Sequence, residues 1–205
     1  MIRISNNELE KFDFYFTADT HFGSVITYGL SQWDRIFNTI DEMDILMITV
    51  LQNSARKSIR KGNPPILFHL GDIGDIWNIQ EIKDLYKRIY LITGNYEEND
   101  DFTITDEGLH SYGITKVFHK KVAVDFGGMT LALAHNPTDC KELIENTDGC
   151  KYGLFGHIHG RQTIKPFGID VGVDAQHFAP ISLNDVKFLL NIIDKGYYDQ
   201  DVWSQ

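Results

Sequence analysis

Cysteine is nearly absent: Cys140 and Cys150 are the only two in 205 residues. That excludes a disulfide framework, and their separation excludes a close zinc-type pair. Positive charge is also scarce, with 19 Lys and Arg against 29 Asp and Glu and a formal net charge of -10. A surface of that sign repels polyanions and anionic membranes, so contact with long nucleic acid is disfavoured. No apolar run is long enough to span a bilayer. Met1 to Lys11 is polar and acidic where a secretory leader needs a basic start and an apolar stretch, so a cytoplasmic location is the expectation. Repeats, low-complexity tracts and linkers are missing too, and the length suits one core, so residues 1–205 are expected to form a single domain.

What is present is a folding composition, 42% hydrophobic with 12% aromatic residues, too rich in apolar side chains for a disordered chain. Phe12 to Ala18 reads as an aromatic strand running into Asp19-Thr20-His21. Met43, Leu46, Met47, Val50 and Leu51 have helical spacing within 41–60, and Gly62 with Pro64-Pro65 ends that helix. Ile66 to Leu70 runs into Gly71-Asp72, and Ile89 to Thr93 into Gly94-Asn95, with a helical pattern over 79–86 between them. Strand, helix and strand thus alternate, as in an α/β sheet. The second half predicts strands at 117–119, 121–126 and 129–135, with Gly127-Gly128 as a hairpin turn. A helix over 138–145 follows, then a strand into His157-Ile158-His159-Gly160, a hairpin over 162–173, and a helix over 182–193 with Ser182 as its cap.

Each polar cluster by itself is weak, because Gly-Asp or Gly-Asn after a strand is usually only a turn. Their joint placement is the signal. Asp19, His21, Asp72, Asn95, His135, His157 and His159 all fall at predicted strand ends, where α/β sheets keep their sites. Carboxylate, amide oxygen and imidazole suit Mn, Fe, Zn, Ni or Co better than Ca or Mg alone. A carboxylate such as Asp72 can bridge two divalent cations about 3.5 to 4 Å apart.

In the order Asp-x-His, Gly-Asp, Gly-Asn, isolated His and Gly-His-x-His, the chain resembles the calcineurin-like metallophosphoesterase superfamily. It is similar to a small single-domain branch of it through Thr17 to Gly23, Leu154 to Gly160 and Asp170 to Asp174. The resemblance implies two mixed β-sheets packed as a sandwich flanked by helices, an α/β (α+β) fold. It implies one metal on Asp19, His21 and His159, a second on Asn95, His135 and His157, and Asp72 between them. Asp72, Asn95, Tyr96 and His135 are then the candidate catalytic residues. Tyr96 stands where many members have a histidine that helps the leaving group depart. The implied activity is hydrolysis of a phosphate ester. A diester of a small or nucleotide-like substrate is weakly favoured over a monoester, with a non-catalytic scaffold as the alternative from another class. Oligomeric state is not legible.

Arg35 and His177 are candidate substrate contacts. Arg35 could clamp a phosphate oxygen or simply form an ion pair, and Arg161 offers the same choice. His69 reads better as a hydrogen-bonded core histidine and Asp75 as a helix-start carboxylate, while His110 and His119 are read as non-functional. Trp33, Trp77 and Phe178 could stack on a base or pack in the core.

Overall fold

The structure is a computed structural model, which describes residues 1–24, 35–98 and 105–199. Trp33 lies outside the described residues. One sheet has the order β11-β2-β3-β4-β5, formed by β11 (Ile181–Ser182), β2 (Asp13–Thr17), β3 (Pro65–His69), β4 (Arg88–Ile92) and β5 (Lys116–Phe118). Its β2 to β5 are parallel, and β11 is antiparallel to β2. The other has the order β1-β6-β7-β8-β10-β9, from β1 (Ile2–Ile4), β6 (Lys121–Phe126), β7 (Met129–Ala134), β8 (Cys150–Phe155), β10 (Gly168–Asp170) and β9 (Ile164–Lys165). Both sheets are mixed, as expected.

Alternation along the strands explains the layers. Phe14, Phe16, Ile66, Phe68, Tyr90 and Ile92 face inward, meeting Val122, Val124, Leu131, Leu133 and Leu154 of the second sheet in one buried cluster. The intervening Tyr15, Leu67, Ile89 and Leu91 face outward beneath α2 (Ile40–Arg60). That helix buries Met43, Met47, Leu51 and Ala55, one stripe at four-residue spacing, and Thr39 caps it by accepting from the Glu42 N–H at 3.2 Å. Ala132, Ala134 and Phe155 point out from the second sheet against Cys140 of α4 (Pro137–Glu145). The helix α5 (Leu183–Asp194) closes the inter-sheet core with Val186, Leu190 and Ile193.

Some boundaries differ from expectation. The helical pattern over 79–86 is a 3-10 helix at Ile76–Glu81 followed by turns. Ile76, Ile79 and Ile82 are all buried at three-residue spacing, which suits three residues per turn rather than 3.6. The polar N-terminal lead contains β1, paired in parallel with β6, and α1 (Asn6–Lys11), whose capping box joins Ser5 and Glu8. The expected Gly127-Gly128 hairpin is present: Phe126 pairs with Met129, and both glycines have positive φ. A further short helix, α3 (Asp106–Ser111), precedes β5.

Candidate metal centre

The loops that follow β2 and β3 run side by side as a continuation of the sheet. Asp19 N–H donates to Gly71 O, His21 N–H to Asp72 O and Phe22 N–H to Ile73 O, at 3.0, 3.0 and 2.8 Å. In the other sheet Gly156 N–H donates to His135 O at 2.9 Å, which ties the end of β8 to the end of β7. The two sheets meet at this end: Val173 N–H donates to Ala18 O at 3.0 Å, and the Asp19 carboxylate accepts the His157 N–H at 3.0 Å on each oxygen. Strand ends from both halves of the chain are thereby drawn to one point.

Asp19, His21, Asp72, His157 and His159 all have left-handed backbones, with φ between 45 and 71°. Asp and His enter this region more readily than most residues, and the cost is of order 1–3 kcal/mol each. The turned backbone aims successive side chains into the same space. Asp19 and His21 are fully buried, and Asp72 and His135 are 2% exposed.

Nitrogens and carboxylates converge there. His21 Nε2 lies 3.6 Å from Asp72 Oδ2, and His135 Nε2 lies 3.3 Å from the same oxygen. Both His135 Nε2 and His159 Nε2 are 3.9 Å from Asp19 Oδ1. The rings of His21 and His159 stack at 5.3 Å, and those of His135 and His157 meet edge to face at 5.2 Å. Two groups have ligand atoms close enough to share an ion: Asp19 with His21 and His159, and Asp19 with Asp72 and His135. Asp19 belongs to both, while the resemblance assigned it to one.

The donor set fits a divalent cation. His135 Nδ1 is 2.8 Å from Leu70 O, so Nδ1 carries a proton and Nε2 is the atom turned toward the carboxylates. That Nε2 is buried, with Asp72 Oδ2 at 3.3 Å. Burial works against a charged His135, but the hydrogen bond and charge of Asp72, the charge of Asp19 and the Leu70 carbonyl outweigh it and hold its pKa up at about 9. Burial would likewise raise Asp72, yet His135, His21 and the Tyr96 N–H bring it down to about 2. Asp19 goes well above the ordinary carboxylate value, first through burial and then through the charges of Asp170 and Asp72. Burial lowers His21 to about 3, keeping it neutral and able to ligate. Two buried carboxylates that favour the charged form of His135, beside a neutral His21, are arranged for positive charge, and a cation there would displace the His135 proton.

Asn95 is exposed and lines a cleft with His135, Glu98, Lys120, Asn136 and Asp139. Tyr96 is 37% exposed, and its backbone N–H donates to Asp72 Oδ1 at 2.9 Å. Glycine beside Asn95 is a steric requirement, since a Cβ on Gly94 would collide with Asp72 Oδ1.

Arg35 does not present its guanidinium to this cleft. It is 5% exposed and lies beneath the site, paired through Nε and Nη2 with Asp174 at 2.8 Å each. His177 is exposed, with a φ of 53°, in the turn that follows Asp174. Phe178 packs on Phe37, and Trp77 is 62% exposed against Tyr112. His69 Nε2 is 3.0 Å from Thr20 Oγ1, a core contact as expected, and Asp75 accepts from the Trp77 N–H at the start of the 3-10 helix. His110 holds Ile114 O, and His119 faces Asp106 at 3.5 Å on the surface.

Two residues near the site escaped sequence reasoning. Buried Glu97 accepts from the N–H groups of Asp72, Ile73 and Gly94, at 2.9, 2.8 and 2.8 Å. Buried Asp170 accepts from Gly160 and Gly172 N–H at 3.0 and 2.8 Å. The signal for Glu97 was only a carboxylate close to a ligand motif, whereas Asp170 opens the stretch to Asp174 that carries part of the family resemblance, without a role having been read for it.

These observations define an α/β sandwich with a carboxylate and imidazole cluster where the ends of its strands meet. The profile of the calcineurin-like phosphoesterase superfamily domain matches residues 16–169, and the chain belongs to that family, whose members act on phosphate esters. Among solved structures, a protein of unknown function from Aquifex aeolicus aligns over 86% of this chain and 98% of that one, at 20% identity and a TM-score of 0.63, which shows the shared fold. An archaeal phosphodiesterase aligns over 78% of this chain and 82% of that one, at 13% identity and a TM-score of 0.49, a likeness that carries no inference. Among curated proteins none matches. No helix among the described residues is long and apolar enough to cross a membrane.

Proposed function

We infer that the chain is a two-metal phosphoesterase acting on a small phosphate diester. The observation that carries this is the convergence of His21, His135 and His159 Nε2 on the carboxylates of Asp19 and Asp72 within 3.3 to 3.9 Å. Asp19, His21 and His159 would hold one ion and Asn95, His135 and His157 the other, with Asp72 between them. Ions so held supply Lewis acidity toward a phosphoryl oxygen and acidify water near neutral pH. The chain's own part is to aim the ligands, through Leu70 O on His135 and Asp174 on His159, and to keep His21 neutral.

The preference for a diester rests on the cleft beside Asn95, where Glu98 and Asp139 stand on the wall. Lys120, on the same wall, lies 3.6 Å from Glu98 and offsets its charge, so the negative charge left is that of Asp139, which repels a dianionic terminal phosphate more than a monoanionic diester.

The test is to reconstitute the purified chain separately with Mn, Ni, Zn and Mg and to assay mono- and diesters, with elemental analysis alongside. Two ions per chain, hydrolysis abolished by chelation and higher kcat/KM on diesters are expected. Absence of bound metal after reconstitution sinks the reading. Asp72→Asn, which removes charge from the carboxylate between His21 and His135, should lower turnover on the order of 100-fold even at saturating metal.

A further inference from the structure

Arg35 and Asp174 lie 139 residues apart and form a buried pair under one side of the metal centre. All five guanidinium N–H groups have acceptors. Nε and Nη2 grip the two oxygens of Asp174 at 2.8 Å each, and Nη2 also donates to Asp19 O at 2.7 Å. Nη1 donates to Thr20 O at 3.1 Å and meets Met43 Sδ at 3.3 Å. Asp174 Oδ2 in turn lies 2.7 Å from His159 Nδ1.

Two consequences follow from this chemistry. The carboxylate accepts the Nδ1–H of His159, which turns Nε2 toward Asp19, 3.9 Å from Oδ1. The guanidinium also fixes the carbonyls of Asp19 and Thr20, and so holds the left-handed turn that carries Asp19 and His21. Lysine lacks the planar fork that engages a carboxylate and two carbonyls at once. None of these contacts touches Asn95, His135 or His157 directly: Arg35 holds Asp19 by its backbone carbonyl, while the Asp19 carboxylate is what meets the His157 N–H, and His135 takes its orientation from Leu70 O.

We propose that Arg35 and Asp174 are positioning residues for one half of the metal centre, the half made by Asp19, His21 and His159, and that they set its affinity more strongly than that of the other half, with which it shares Asp19. The proposal rests on the two-metal reading above. Asp174 falls outside residues 16–169, the span of the family match.

The experiment titrates Mn(II) into full-length wild type, Asp174→Asn and Arg35→Lys, following stoichiometry by calorimetry and ion–ion coupling by electron paramagnetic resonance. Wild type should bind two ions and show a coupled spectrum. Each variant should keep one ion at nearly wild-type affinity and bind the second on the order of 10 to 100-fold more weakly. At sub-saturating metal its coupled signal should give way to that of isolated Mn(II). Urea unfolding of the chelated proteins checks the fold, and if Asp174→Asn lacks a cooperative transition, Arg35→Lys, which preserves the charge, decides. Two ions bound with wild-type affinities overturn the proposal, and so does equal weakening of both ions in a folded variant. Wild type that binds fewer than two ions overturns the two-metal reading itself, and the proposal with it.

Discussion

At the scale of the residue, Tyr96 matters through its backbone. Its N–H holds Asp72 Oδ1 at 2.9 Å whatever side chain the position carries, so replacing the family's histidine leaves the aim of that carboxylate intact. Tyr96→Phe should therefore cost the same modest factor, below about fivefold, for aryl and alkyl esters of one phosphate. Metal content should be unchanged. The check is kcat/KM on both substrates; a much larger loss for the alkyl ester would show that Tyr96 protonates the leaving group. Asp170 offers a test of buried charge. Burial raises its pKa from 3.8 to about 6, against the lowering effect of the Gly172 and Gly160 N–H groups. The folded state thus binds this proton more tightly than the unfolded chain, and the contribution of Asp170 to stability declines as pH rises from about 4 through 6. Asp170→Asn removes that slope. Between pH 4 and 7 the chelated wild type should lose on the order of 3 kcal/mol relative to the variant, at about 1.4 kcal/mol per pKa unit, as read by urea unfolding at each pH.

At the scale of elements, the site is two pairs of laced strand-end loops. Glu97 staples a third loop to the first pair, because its carboxylate accepts three N–H groups from the segments after β3 and β4. Glu97→Gln keeps the shape but sets an amide NH₂ against at least one of those donors. A destabilisation of about 1–3 kcal/mol is expected, together with weaker metal binding, since Asp72 and Gly94 move with the loop. Unfolding of chelated protein measures the first effect and a Mn(II) titration the second; a change in neither would show that the staple is redundant. The same scale shows what local pattern reveals. Strands β2, β3, β4, β6 and β7 and helices α2, α4 and α5 were legible within a residue or two, because alternation and capping are local signals. Not legible were β1 and β11, of three and two residues, and the helices α1 and α3, which bury no side chain and one respectively and so show no apolar stripe; the equally short β5, β9 and β10 were legible.

At the scale of the molecule, a chain of net charge -10 brings two carboxylates together in a buried space, so cations should stabilise the fold. Ligands that bind only the native state add RT ln(1 + [L]/Kd), about 2.7 kcal/mol per site at 100 times Kd. Manganese at that level should raise the free energy of unfolding by about this amount for each ion, and chelation should reverse it. Stability indifferent to Mn, Ni and Zn would overturn the proposed centre. The molecule also decides the direction of the reaction surface, because the strand ends of both sheets meet where Asp19 accepts the His157 N–H across 138 residues.

Strand alternation, helix stripes and caps, and ligand-type residues at strand ends were determined by the sequence itself, since each is a relation between residues a few positions apart. Family resemblance extended that to a two-sheet sandwich and a ligand set. Tertiary structure alone decided which distant groups meet. It turned Arg35 from a candidate phosphate clamp into a buried partner of Asp174, and it made Glu97 and Asp170 anchors of backbone N–H groups. The physical reason is range: periodicity is read along the chain, whereas the partner of a buried charge is chosen by which loops the packed sheets bring within hydrogen-bond distance.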